Sequence, residues 1–273
     1  AVAPQTSRKR PASSLDTPKP LEFFSAWFCP YAQKAWIALE HHGVAYTQIQ
    51  GLIPDNPGED FVGYVKDPRL LELNPKGLVP TLSEGPGTVP VYESAYCMEY
   101  IDELAISRDS TALAHSLLPG PPRSRAALRL KADWVNKNCC SPFYQILVRK
   151  DQGERAAAFK QLQASLDELE LSIEDTFLSG ESLSIVDLSF IPWAYRIFIC
   201  KIIETFRGPQ FAIDLTSRPK ISRWLETVFA LPAVKATLAE PVALTTTYKR
   251  YSDGIAGSKV AEAVRQGKAA DTV

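Results

Sequence analysis

The hydrophobic pattern starts at Leu21. Leu21-Glu22-Phe23-Phe24-Ser25 is a short run rich in aromatic and apolar residues, the signature of a buried strand. Trp27-Phe28-Cys29-Pro30 follows, and then Tyr31 to Glu40, a stretch of helix formers without a breaker. Pro30 suits the first helical turn, where its missing N–H is no loss. Gly43 after His41-His42 is a C-terminal stop. Ala45 to Gln50 alternates as a second strand. Gly51 to Gly63 carries Pro and Gly signals and reads as a loop, and Arg69 to Leu73 as a short helix. Asn74-Pro75-Lys76-Gly77 is a turn. Leu78 to Leu82 and Pro90 to Glu93 read as strands around a turn at Glu84 to Gly87, and Ser94 to Glu103 as a helix.

Beyond this point the period changes. Residues 107–122 are polar and Pro-rich, a linker by composition. Arg123 to Arg149 reads as one helical region. Leu162, Leu166, Leu169 and Ile173 recur at three- and four-residue steps, a seam that faces other helices. Ser184-Ile185-Val186-Asp187 has the form of a capping box ahead of an apolar run, Leu188 to Ile203, that Pro192 should kink. A further helix follows Arg218-Pro219 through Trp224 to Leu231. The order β-α-β-α-β-β-α over residues 21–106 is that of a thioredoxin-like domain. The expected class is therefore α/β plus all-α: a tail at 1–20, the thioredoxin-like domain at 21–106, the linker at 107–122, an all-helical domain at 123–251, and a polar C-terminal tail at 252–273 that folds back as a lid or frays.

Composition narrows the function classes. Lys plus Arg number 30 and Asp plus Glu 31, a formal net charge of -1, which argues against nucleic acid as the main partner. No apolar run approaches the roughly 18 residues of a membrane helix, and the polar start lacks the apolar core of a secretory signal. Arg8-Lys9-Arg10 reads as part of a solvated tail. A cytoplasmic protein is expected, with no membrane partner. The five cysteines, Cys29, Cys97, Cys139, Cys140 and Cys200, form neither a CxxC pair nor a disulfide framework, and His41, His42 and His115 offer no metal-ligand spacing. No metal is expected, and the Cys139-Cys140 pair reads as ordinary packed thiols.

The chemistry centres on Cys29. A cysteine after a strand and at a helix start meets free N–H groups and the helix dipole, which favour the thiolate. Such thiols have pKa values of about 3.5 to 7.5, against about 8.5 for free cysteine. Position 32, where a dithiol protein would carry its second cysteine, is Ala32. A mixed disulfide on Cys29 must then be resolved by an external thiol, for which glutathione is the obvious choice. Val79-Pro80 is awkward within a strand unless it caps an edge or is cis, an arrangement that would leave the Val79 backbone free to pair with an extended peptide. Glu93-Ser94 lies at a strand-to-helix junction. Ser94 reads as an N-cap whose helix start can hold a carboxylate, and Glu93 as an acceptor for an ammonium group.

Phe28-Cys29-Pro30-Tyr31-Ala32-Gln33-Lys34, Leu73-Asn74-Pro75-Lys76-Gly77-Leu78-Val79-Pro80-Thr81-Leu82 and Tyr92-Glu93-Ser94, with the capping box and Ile191-Pro192-Trp193, resemble a glutathione transferase, and most of all the omega class. The resemblance covers about residues 21 to 250, and Tyr251 to Ala270 is similar to fungal omega-like C-terminal ends. It implies that Cys29 is catalytic and forms a mixed disulfide with glutathione, the co-substrate. Phe28, Lys66, Val79, Pro80, Glu93 and Ser94 would form the glutathione site. Val79 would pair with the cysteinyl unit, Glu93 and Ser94 would hold the γ-glutamyl end, and Lys66 would meet the glycine carboxylate. Trp134, Tyr144 and Trp193 are candidate walls for a small electrophilic or disulfide substrate, and a homodimer is implied. Two alternatives stand beside this thiol transferase or reductase of detoxification. One is a glutathione-dependent step of secondary metabolism acting on one electrophile. The other is a non-catalytic glutathione or ligand binder, the membrane-inserting chloride-channel-like relatives included.

Overall fold

The computed structural model describes residues 20–55 and 63–270. The tail expected before residue 20, part of the loop at 51–63 and the last three residues lie outside them. Strand β1 (Leu21–Ser25) is buried at four of its five positions, as a strand covered on both faces should be. It runs parallel to β2 (Tyr46–Gln50) and antiparallel to β5 (Thr81–Ser83), which pairs with β6 (Val91–Tyr92) in the sheet order β2-β1-β5-β6. Helix α1 (Pro30–His42) crosses from β1 to β2. It starts on Pro30 and stops at Gly43, whose φ of 63° is one that glycine adopts without strain. Helix α2 (Pro68–Leu73) precedes β5, and α3 (Ser94–Arg108) follows β6 and packs against α1.

The segment read as a loop at 51–63 departs from that expectation. Leu52–Pro54 (β3) and Tyr64–Lys66 (β4) pair antiparallel in a small sheet of their own. Strands this short carry too few residues for a period to show, and the ladder between them involves no third strand.

The rest is helical. After α3 a 3₁₀ turn (Ser110–His115) leads to α4 (Pro122–Val135). The helical region expected at 123–149 breaks at a π-turn, Asn136–Cys140, before α5 (Ser141–Val148). Helix α6 (Gln152–Ser172) buries Leu162, Leu166 and Leu169. Helix α7 (Ile185–Ala194) is closed by the expected capping box. Ser184 N–H donates to Asp187 Oδ2 at 2.9 Å and Val186 N–H to Ser184 Oγ at 3.3 Å, and Asp187 also accepts from Trp224 Nε1 at 2.9 Å. Pro192 sits inside α7, and the run leaves α-helical geometry just after it, at the π-turn Tyr195–Ile199. Then come α8 (Ile202–Arg207), α9 (Pro219–Ala230), α10 (Pro232–Lys235), α11 (Pro241–Ser252) and α12 (Lys259–Arg265). Helix α12 folds back onto α5. Both π-turns face α1, and such turns recur at functional sites.

Candidate active site

Cys29 is the N-cap of α1, with extended backbone (φ -83°, ψ 116°). Its carbonyl accepts from Gln33 N–H at 3.0 Å, and its own N–H donates to Ala26 O at 2.9 Å. The position is half-buried. Burial pushes the thiol up, while the Ala32 and Tyr31 backbone amides, Arg196 and Lys34 pull it down. Burial prevails, so the low pKa expected of a helix-start cysteine is not the state of this closed structure. The physical reason is the cover. Tyr64, Tyr144, Tyr248, Arg250 and Tyr251 line the same pocket, of about 340 Å³, and remove the water that would stabilise a thiolate.

Opposite Cys29, the thiol lies 3.9 Å from Val79 O, and the Val79-Pro80 peptide is cis. Buried Asn74 holds this turn from below, donating through Nδ2 to Leu78 O at 3.1 Å and to Thr81 Oγ1 at 3.2 Å. At the far wall Glu93, not Ser94, is the N-cap of α3; Ser94 is its first helical residue, which corrects the expected cap by one position. Glu93 has φ 69°, a region that costs a non-glycine residue free energy and is characteristic of functional sites. No side chain caps α3, which leaves its first turn available to an anion. The Glu93 carboxylate meets Lys76 Nζ at 3.1 Å.

The comparisons with known proteins agree with this geometry. A glutathione S-transferase N-terminal domain model matches residues 28–104, and the C-terminal domain model matches residues 127–232. Glutathione S-transferase U28 of Arabidopsis thaliana is 30% identical over 220 residues, covering 78% of this chain and 86% of the relative. This chain belongs to the glutathione S-transferase family. Glutathione S-transferase omega-1 of Sus scrofa is 27% identical over 225 residues, 81% of each chain. The solved structure of glutathione transferase Omega 3C from Trametes versicolor superposes with a TM-score of 0.66 at 24% identity, covering 82% of this chain and 91% of the other. The fold of a thioredoxin-like domain followed by a helical transferase domain is that of the family.

Within this glutathione transferase, Phe28, Cys29, Val79, Pro80, Glu93 and Ser94 line one pocket. Lys66 does not. Its Nζ donates to Lys76 O at 3.0 Å, and Lys259 of α12 donates to the same carbonyl at 3.0 Å. Of these two lysines, Lys259 lines the pocket and Lys66 does not. Of the three aromatic candidates, Tyr144 lines the pocket and Trp134 and Trp193 do not. Trp193 is fully buried, 4.9 Å from the Tyr31 ring edge-to-face.

Several pocket residues lay outside the sequence expectations. Phe28 stacks on Tyr64 with ring centroids 5.1 Å apart, and the Arg250 guanidinium sits 5.3 Å from Phe28, 4.5 Å from Tyr64 and 5.4 Å from Tyr251. Arg250 also donates to the Tyr64 hydroxyl. Arg196, 0% exposed, donates to Phe28 O at 2.9 Å, Gln33 Oε1 at 3.0 Å, Pro192 O at 2.6 Å and Tyr248 OH at 2.7 Å. The signal for Arg196 was present in the sequence as a charged residue inside the apolar run from Leu188. The C-terminal segment closes the site, with Ala270 N–H bonded to Ser141 Oγ at 3.0 Å and Ser258, Lys259 and Val260 on the pocket wall. No described helix is long and apolar enough to cross a membrane.

Proposed function

We propose that this chain is an omega-type glutathione-dependent thiol transferase with Cys29 as its nucleophile. The observation that carries the reading is the placement of Cys29 at the start of α1, facing Val79, in one pocket with the uncapped start of α3 and with Ala32 where a second thiol would stand. The Cys29 thiolate attacks the glutathionyl sulfur of a mixed disulfide. A Cys29–glutathione disulfide forms and the acceptor thiolate leaves. A second glutathione thiolate then attacks the glutathionyl sulfur, oxidised glutathione leaves, and Cys29 is restored. Val79 pairs its backbone with the cysteinyl unit of glutathione, Phe28 and Pro80 shape its bed, and Glu93, Ser94 and the α3 start hold its γ-glutamyl end. Lys259 and Lys66, which share one carbonyl, meet the glycine carboxylate together.

The thiolate is drawn out when glutathione enters and the cover over Cys29 lifts, so that the helix-start amides, Arg196 and Lys34 prevail over burial. A homodimer, a cytoplasmic setting and a role in detoxification belong to the same reading. Exposed apolar side chains at Val89, Tyr96 and Leu130, on and beside α3 and α4, fit the dimer. The test is glutathione-dependent reduction of a small glutathione mixed disulfide by the native protein and by Cys29→Ser. Activity present in the native protein and absent in the variant is the expected result. Equal activity in both removes Cys29 from the reaction.

A further inference from the structure

We propose that the acceptor end of this pocket selects a substrate carrying an anionic group, a carboxylate or acidic phenol on an aromatic or apolar body, and that Lys34 is the residue that selects it. The proposal rests on the reading of Cys29 above and names the substrate class of that site.

Lys34 lies on α1 just past Cys29, is 1% exposed and lines the pocket. Its Nζ donates to Asn136 Oδ1 at 2.5 Å. An ammonium carries three donors, and among the described residues this is its one hydrogen bond. Its other neighbours are ring faces, Trp193 at 4.8 Å and Tyr31 at 5.5 Å from the centroids. Rings attract a cation but do not neutralise it. Among the described residues no carboxylate pairs with Lys34. The two acids on the pocket wall sit at its exposed rim and are engaged already, Glu93 by Lys76 at 3.1 Å and Asp133 by Lys137 at 2.7 Å. Arg196, which like Lys34 acts on the Cys29 thiol through its charge, likewise gives its hydrogen bonds to neutral oxygens.

Two buried cations therefore act on the thiol, and among the described residues neither pairs with a carboxylate. A desolvated charge without a partner is strongly unfavourable, and an anionic ligand seated there supplies both the missing charge and the missing acceptors. Glutathione does not account for Lys34. Val79, Glu93 and Ser94, proposed for glutathione, come from the β5 edge and the start of α3. Lys34 comes from α1, Asn136 and Cys140 from the π-turn between α4 and α5, and Tyr144 from α5. The Tyr31 and Tyr144 rings line the same wall, with the Asp133–Lys137 pair at its rim, and an aromatic wall with few polar groups suits an aryl acid.

The experiment compares two mixed disulfides of glutathione, one with thiophenol and one with 4-mercaptobenzoate. They share the glutathione half and differ by one carboxylate. The native protein is expected to favour the carboxylate probe in kcat/KM by about tenfold, the size of effect one partly desolvated ion pair gives. Lys34→Met is expected to abolish the preference and Lys34→Arg to keep it. Both rates fall in Lys34→Met because Lys34 also favours the Cys29 thiolate, so the ratio of the two probes is the readout. A native protein that turns over both probes equally overturns the proposal and leaves the thiol-transferase reading standing, whatever the variants do. A preference that survives in Lys34→Met also overturns it. Turnover of neither probe overturns the reading of Cys29 and this proposal together.

Discussion

The ammonium of Lys34 sits where water does not reach, and its burial lowers its pKa to about 8. In the unfolded chain the same group titrates near 10.4. Between these values the unfolded chain binds more protons than the folded one, so native stability rises with pH through this window and the penalty is fully present below about pH 8. Lys34→Met removes the desolvated charge and keeps most of the side-chain volume. The variant is expected to be more stable than the native protein at pH 7, by roughly 1–3 kcal/mol, and the advantage should shrink as pH rises from 8 toward 10. Urea unfolding of both proteins at pH 7 and pH 9.5 reads this directly. An advantage independent of pH would mean that the charge is not its source. A lysine that lowers stability while lining a pocket is what a binding role predicts, because selection for packing alone would favour the methionine.

Among the elements, α12 helps to enclose the pocket that holds Cys29. It docks through buried Ala261 and Val264 onto α5, with Lys259 tied to Lys76 O and Ala270 to Ser141. Burial is the largest influence raising the Cys29 thiol, and this segment supplies part of the cover. Val264→Asp places a charge in that seam and is expected to undock the helix. Alkylation of Cys29 by iodoacetamide at pH 7 should then accelerate by about tenfold, with its pH midpoint moved down. An unchanged rate would show that α12 does not gate the thiol. The same comparison shows what is legible locally. β1, α1 and α7 could be read from sequence because their signals are contiguous: an apolar run, Pro30 with Gly43, and the Ser184–Asp187 box. β3 was read as loop and β4 was assigned no element, because three-residue strands carry no period. Helix α12 was left open between lid and frayed end because its docking depends on contacts such as Ala270 to Ser141, 129 residues apart. Of the site, the motifs around Cys29, Val79 and Glu93 could be read, since each is a turn or helix start. Lys259 was not read because only the fold brings it to the carbonyl that Lys66 also meets.

At the scale of the molecule, the two domains meet over a seam of buried polar groups whose partners no local pattern reveals. Arg196, from the π-turn after α7, reaches 168 residues back to Phe28 O and 163 back to Gln33 Oε1, and Gln33 Nε2 donates to Thr237 O at 3.3 Å. The same guanidinium favours the Cys29 thiolate through its charge. One residue therefore couples domain docking to the ionisation of the Cys29 thiol, and Arg196→Leu separates the two effects. It removes the Arg196 donor from Phe28 O, Gln33 Oε1 and Tyr248 OH, and the loss of a partner by a buried polar group costs about 1–3 kcal/mol. Unfolding in denaturant should shift to lower concentration and lose cooperativity as the domains part. The Cys29 pKa should rise, because the cation that favours the anion is gone, and deglutathionylation at pH 7 should fall by more than it falls at pH 9. A variant that loses stability while keeping its pH profile would mean that Arg196 only fastens the domains together. A changed profile with unchanged unfolding would mean that it acts on the thiol alone. The hydrogen bond to the carbonyl of the residue next to Cys29 predicts that the two changes come together.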